Sequence, residues 1–213
     1  DVQTVAYHGA ALGLSYVPVK NMLGSDLVEK WGMSEEVRRR YPKLPAKKFI
    51  VQEDPFHLGE QVCCVPTPQL DVACIHVQEA GPDGTCRIEG AQFQDLDIAM
   101  AAKHTIVSCE RLVPEDELRR NPERNTLTGL CVDAVVPAVY GAHPSQCFGC
   151  YDYDSAFYLN YDKVSRAQEA FDEFIQEYVD GCPTHGEYLD KIGAKHLLSL
   201  AVVPGYGYCP GLK

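Results

Sequence analysis

"LDVACIHVQEAGPDGTCRIEG", residues 70–90, reads as a strand, a turn and the start of a second strand. Val72, Ile75 and Val77 give the first run its β-branched character, and Cys74 counts there as one more small hydrophobe. Asp83-Gly84 is the turn core, because glycine accepts positive φ at no steric cost. Downstream, "QDLDIAMAAKH" (94–104) sets Leu96, Ile98, Ala99 and Ala102 inward on a helix. "TIVSCERLV" (105–113) is another strand, and "VPEDELRR" (113–120) opens a short acidic helix whose proline and acids suit a first turn. "LCVDAVVPAVY" (130–140) reads as a last long apolar strand. The strands alternate with helices and look apolar on both faces. That pattern predicts an α/β fold, a mostly parallel sheet with helices on both faces.

The flanks extend the pattern. Val2, Val5, Ala6 and Ala10 recur at helical spacing before Gly13, and "LSYVPV" (14–19) and "EQVCCVP" (60–66) are strand-like. Residues 21–45 form an irregular excursion with a short helix at 34–39. Toward the C-terminus, Val164, Phe171, Phe174, Ile175 and Tyr178 form one stripe, predicting a long helix over 161–179 that Gly181 and Pro183 end. "EYLDKIGAKHLLSLAVVPGYGY" (187–208) predicts one more helix and a terminal strand. With no repeat and no low-complexity linker, residues 1–213 are expected to form one domain.

The net charge of −11 argues against nucleic acid, whose phosphates need a basic surface. The one dense basic run, 35–48, reads as a solvated segment. No apolar run approaches the roughly 20 residues that span a bilayer, so no membrane association is expected. The start, "DVQTVAYHGA", lacks a basic n-region. The ten cysteines include an adjacent pair, Cys63-Cys64, and others inside apolar runs. A chain this long needs no disulfide framework, so the thiols are read as reduced and the setting as cytoplasmic.

"YGAHPSQCFGCYDYD" (140–154) is too polar and too rich in Gly and Pro for a core strand or helix. Cys147 and Cys150 make C-x-x-C, but a structural zinc needs four ligands, no second pair exists, and the seven histidines are scattered. The pair reads as two ordinary reduced cysteines, with no metal. Ser145 and His143 are too close in sequence for a triad, and there is no G-x-S-x-G, H-E-x-x-H, Walker loop or G-x-G-x-x-G. Asp95 and Asp97 suit a helix N-terminus better than catalysis. No self-sufficient catalytic set is visible, and no catalytic residue is assigned.

The runs 70–90 and 95–136, the 140–154 loop, "ALGLSYVPVKNMLGSDL" (11–27) and "LAVVPGYGY" (200–208) occur in an order that resembles the A subunits of family I coenzyme A-transferases, of the glutaconate type. The resemblance covers nearly the whole chain. It lacks the Gly-rich N-terminal segment usual there, which reads as an incomplete N-terminus. The resemblance implies a CoA-transferase-like fold and a ping-pong exchange of CoA between an acyl-CoA and a small (di)carboxylate such as glutaconate. The nucleophilic glutamate, which forms an anhydride and then a glutamyl-CoA thioester, is expected on a partner B subunit. Coenzyme A is then a substrate, with no permanently bound cofactor. Gly24, Ser25, Gly141, His143, Pro144, Ser145 and Gln146 are the expected substrate-binding positions. Glu79 is not assigned as the nucleophile. Two other readings stay open: a subunit of a ring-opening CoA-thioester hydrolase of the same fold, whose partner lacks the glutamate, and a non-catalytic structural fragment.

Overall fold

The computed structural model describes residues 2–30 and 32–210. In chain order the helices and strands are α1 (Val2–Ala11), β1 (Tyr16–Val19), α2 (Asp26–Glu29), α3 (Glu35–Arg39), β2 (Ile50–Glu53), β3 (Gln61–Pro66), β4 (Leu70–Ala80), β5 (Cys86–Arg87), α4 (Asp95–Ala101), β6 (Ala102–Leu112), α5 (Glu115–Arg120), β7 (Ala134–Pro137), α6 (Ser155–Val164), α7 (Gln168–Ile175), α8 (His185–Ile192) and α9 (Ala194–Leu200). The chain divides into two compact units, Asp1–Ala73 with Phe93–Thr105, and Cys74–Gln92 with Ile106–Lys213. Two of the three boundaries fall within strands, β4 and β6, and the third between β5 and α4. Among the described residues no helix is long and apolar enough to cross a membrane.

In the first unit, β1, β3 and β2 form a three-stranded antiparallel sheet in that order. Its core joins Ala6 and Met22 to Cys63 and Val65, with Val2, Val19, Leu23, Val28 and Phe49 packed around them. Gly9 lets α1 lie against β1: a Cβ there would stand 2.4 Å from Val17 Cγ2. α1 also meets α4, where Gln94 Nε2 donates to Thr4 Oγ1 at 2.7 Å. Asp95 and Asp97 occupy the first turn of α4, the favourable end for negative charge, and Asp97 lies 2.9 Å from His8 Nδ1.

The second sheet has the order β5-β4-β6-β7. β5 runs antiparallel to β4, and β7 runs parallel to β6. Side chains fix the direction of the central pair. Asp71 meets Lys103, His76 meets Ser108 and Glu79 meets Arg111, each pair 32 residues apart. A constant offset requires strands that run the same way, so two of the three pairings are parallel. The sheet is thus mostly parallel and the architecture α/β, as expected from the sequence.

The two faces of this sheet differ. Ala73, Ile75, Val77, Val107 and Cys109 are buried on one face, each large apolar side chain contributing about 1.5–3 kcal/mol. The alternate positions carry His76, Gln78, Ser108 and Glu110, so the strands are not apolar on both faces.

Three further expectations change. The helix expected over 161–179 is broken: α6 ends near Ser165, α7 begins at Gln168, and a π-helical turn, Gln176–Asp180, follows. The apolar run 130–140 gives only the four residues of β7, because Gly129–Cys131 takes a 3₁₀ turn before it. No terminal strand forms among the described residues. Ala201 makes a single bridge to Tyr151 after two helices, α8 and α9, which Gly193 separates at φ +91°.

Candidate functional site

The 140–154 loop lies in the second unit and is braced from within. His143 is buried, with a side-chain exposure of 0%, and both ring nitrogens are engaged. Nε2 lies 3.1 Å from Asp154 Oδ2, and Nδ1 lies 2.6 Å from the Tyr188 hydroxyl. An ionised Asp154 only accepts, so Nε2 carries the proton and Nδ1 accepts the Tyr188 O–H. Asp154 also accepts from His196 Nε2 at 2.5 Å and from the Phe157 N–H at 3.0 Å. Burial alone would raise its carboxyl; the Phe157 N–H and the two imidazoles outweigh that and hold it low. Burial depresses the His143 imidazole and pushes the Tyr188 phenol up to about 12. The Asp154 N–H donates to Pro144 O at 2.9 Å, closing the loop across its cis His143–Pro144 peptide.

The remaining expected positions have different surroundings. Gly141 packs against the sheet: a Cβ there would stand 2.7 Å from His76 Cε1 and 2.7 Å from Ala138 O. Ser145 is exposed, its Oγ 2.6 Å from the Tyr158 hydroxyl, and Gln146 is exposed. Gly24 takes φ +75°, and Ser25 caps α2 by accepting from the Leu27 N–H at 3.2 Å. These two belong to the first unit, whereas Gly141, His143, Pro144, Ser145 and Gln146 belong to the second.

A second array lies on the polar face of β4 and β6. Glu110 Oε1 is 2.6 Å from His76 Nε2 and accepts the Tyr151 hydroxyl at 2.8 Å, while Oε2 accepts the Tyr140 N–H at 2.9 Å. His76 Nδ1 lies 2.8 Å from Ser108 Oγ. Burial would raise the Glu110 carboxyl, but these three donors hold it below its usual value. The same burial, with Glu110 beside it, pushes the Tyr151 phenol far up, so it stays a donor. Tyr151 also accepts the Ala142 N–H at 2.8 Å, which ties Glu110 to the loop.

Beside this array is a cleft of about 550 Å³, wholly within the second unit, lined by Gln78, Glu79, Glu89, Glu110, Arg111 and Arg124 with the Phe148–Cys150 turn. Ion pairs cross its walls: Arg124 with Glu89, Arg111 with Glu79, and Arg87 Nη1 with Glu79 Oε2 at 3.0 Å. Arg87 is buried and also donates to Asn125 Oδ1 and to the carbonyls of Glu117 and Leu118. Cys147 and Cys150 are joined by a turn, Cys150 N–H to Cys147 O at 2.9 Å, which brings their thiols to bear on each other. That contact raises the Cys147 thiol strongly and lowers Cys150.

The sequence reading missed Glu110, His76, Ser108 and Asp154. The available signal was alternation: Ser108 and Glu110 are two apart on β6, so they share a face.

The family model for coenzyme A transferase matches residues 6–138. The chain belongs to the coenzyme A transferase family. It is 55% identical over 208 residues to the A subunit of glutaconate CoA-transferase of Acidaminococcus fermentans, covering 98% of this chain and 65% of that one. The crystal structure of that organism's glutaconate coenzyme A-transferase superposes with a TM-score of 0.95 over 98% of this chain and 66% of the other. The A subunit of a 3-oxoadipate CoA-transferase of Pseudomonas knackmussii is 33% identical over 88% of this chain and 60% of that one. A cholesterol ring-cleaving hydrolase IpdA subunit of Rhodococcus jostii is 30% identical over 81% of this chain and 56% of the relative. The chain therefore spans two thirds or less of the length of these relatives.

Proposed function

We propose that this chain is part of the A subunit of a heteromeric CoA-transferase that moves CoA between an acyl-CoA and a small dicarboxylate such as glutaconate. The observation that carries the reading is the 55% identity to the A subunit of glutaconate CoA-transferase across 98% of the chain. The hydrolase relative, at 30%, supports the alternative less well. On this reading the donor thioester is attacked by a glutamate of the B subunit, while the A subunit binds and orients. Coenzyme A is substrate, no cofactor is permanently bound, and the setting is cytoplasmic, away from nucleic acid and membrane.

The roles divide by burial. Ser145 and Gln146 are exposed and offer hydrogen bonds to a carboxylate or thioester oxygen. Gly24 and Ser25 are proposed substrate-binding residues on the strength of the family resemblance alone. His143 works from behind as a positioning residue: its nitrogens are already committed to Asp154 and Tyr188, and they fix the loop on which Pro144 and Ser145 stand. Gly141 gives the loop room to reach the sheet.

The test is product analysis of the complex formed by the full-length chain and its partner. With an acyl-CoA donor and free glutaconate, the reading predicts glutaconyl-CoA and conserved total thioester. Release of free CoA without a new acyl-CoA would favour the hydrolase. No turnover by the assembled complex would favour the structural role.

A further inference from the structure

Sequence alone leaves the C-x-x-C pair without companions, but folding supplies them. His76, Glu110 and Cys147 bring one ligand atom each to within 4.8 Å of one another. Cys147 and Cys150 come from the loop, His76 from β4 and Glu110 from β6, so the four span three separate parts of the second unit.

We propose that Cys147, Cys150, His76 and Glu110 form a site for a thiophilic divalent cation of the zinc type. Two sulfurs, one imidazole and one carboxylate are a donor set suited to zinc in tetrahedral geometry, with bonds of about 2.0–2.3 Å. To reach such bonds the Cys147 sulfur must close on the other two donors, while His76 Nε2 and Glu110 Oε1, now 2.6 Å apart, must open to more than about 3 Å. Cys150 supplies the fourth by turning toward this cluster: the turn that carries it, with Cys150 N–H to Cys147 O at 2.9 Å and Gly149 at φ +77°, holds it beside Cys147, and it shares a cleft lining with Glu110.

The surroundings fit a ligated state. The His76 Nε2 proton now lies between that nitrogen and Glu110 Oε1, at 2.6 Å, and the cation would take its place. The imidazole proton then shifts to Nδ1, which donates to Ser108 Oγ across the same 2.8 Å contact. That is the outer hydrogen bond that metal-bound histidines usually make. Glu110 is oriented independently by the Tyr140 N–H and the Tyr151 hydroxyl. Entry is open, because Glu110 and Cys150 both line the 550 Å³ cleft. Binding releases the two thiol protons in exchange for the cation, while the imidazole proton passes from Nε2 to Nδ1. The ion would pin the 140–151 loop to the sheet. This inference stands apart from the transferase reading.

The probe is Co²⁺, added without oxygen to the reduced full-length chain in its complex. The expected result is one cobalt per chain, with thiolate-to-cobalt charge-transfer absorption and the intense visible bands of tetrahedral cobalt, displaced by Zn²⁺. Cys150→Ser should lower the affinity at least tenfold and cut the charge-transfer intensity by about half, while Ser108→Ala should lower affinity about 10–100-fold. Cys74→Ser, an exposed cysteine outside the set, should change nothing. Circular dichroism checks that each variant is folded. Absence of stoichiometric cobalt, cobalt without thiolate bands, or a spectrum indifferent to Cys150→Ser would each overturn the site.

Discussion

Glu110 Oε1 lies 2.6 Å from His76 Nε2, joining β6 to β4 on the polar face of the sheet. The same carboxylate accepts the Tyr151 hydroxyl and the Tyr140 N–H, so one side chain holds two strands and the loop that follows β7. A buried charge with three donors is strongly committed. Removing the charge while keeping the shape tests this: Glu110→Gln should destabilise the protein by about 1–3 kcal/mol, read as a lower denaturant midpoint. An unchanged midpoint would mean that the array is not organised around the ionised carboxylate.

Gly141 is required by close approach. Its missing Cβ leaves space for His76 Cε1 and Ala138 O, both 2.7 Å from where that atom would stand. Gly141→Ala should cost about 1–3 kcal/mol through overpacking. In a double-mutant cycle with His76→Ala the costs should not add, since the two sites share the clash. Simple additivity would show that the ring is not the obstacle.

Glu79 carries two arginines of unequal value. Arg87 is 2% exposed on its side chain and Arg111 is 62% exposed. Glu79→Gln strands the buried Arg87 and should cost about 3–5 kcal/mol. Arg111→Ala should cost about 1 kcal/mol or less, because water and salt screen an exposed pair. Thermal or urea unfolding of the two variants gives the comparison, and equal losses would contradict it.

Acid should destabilise the fold in two stages. Burial depresses the His143 imidazole despite Asp154 beside it. The unfolded chain takes up that proton near pH 6.5, whereas the folded chain resists it. The unfolded state then binds more protons, so stability falls as pH drops below about 6.5. Asp154 and Glu110 are held low, so their contribution is present above about pH 4 and is lost below it. His143→Asn should flatten the first stage and leave the Glu110 part of the second, as measured by urea midpoints across pH.

Ser145 and Gln146 should affect catalysis but not folding. Both are exposed, so replacing them with alanine should change stability by no more than about 0.5 kcal/mol. Turnover of the assembled enzyme should fall. Unchanged kinetics would remove the loop from the substrate site.

Much of the fold was legible because it is written in local pattern. The spacing of Val2, Ala6 and Ala10 gives α1, the β-branched run Val72–Val77 gives β4, and Asp83-Gly84 gives the turn after it. What was not legible depends on tertiary choice. The stripe through Phe171 and Phe174 continues past Ser165–Ala167, yet the chain breaks there, because periodicity shows which residues face inward but not whether the axis is continuous. The terminal "AVVP" reads as strand by propensity, but after α9 it forms a single bridge, to Tyr151, among the described residues. The site divides in the same way. The 140–154 loop stood out by composition, and its motif pointed to the family. His143 is hydrogen-bonded to Asp154 of the same loop and to Tyr188 of α8, and Asp154 in turn to His196 of α9, and no spacing rule connects these residues. His76 and Glu110 were hidden because a single polar residue in an apolar run looks like an exception until the facing strand supplies its partner.

The central claim is that this chain belongs to an enzyme whose nucleophile lies on a companion chain. The most direct measurement is denaturing mass spectrometry of the complex, purified from its source and incubated with an acyl-CoA. The account predicts a companion chain that gains the mass of coenzyme A less one water, as a thioester cleaved by hydroxylamine, with the present chain unmodified. An adduct on the present chain, or no covalent adduct on either chain of an active complex, would contradict it.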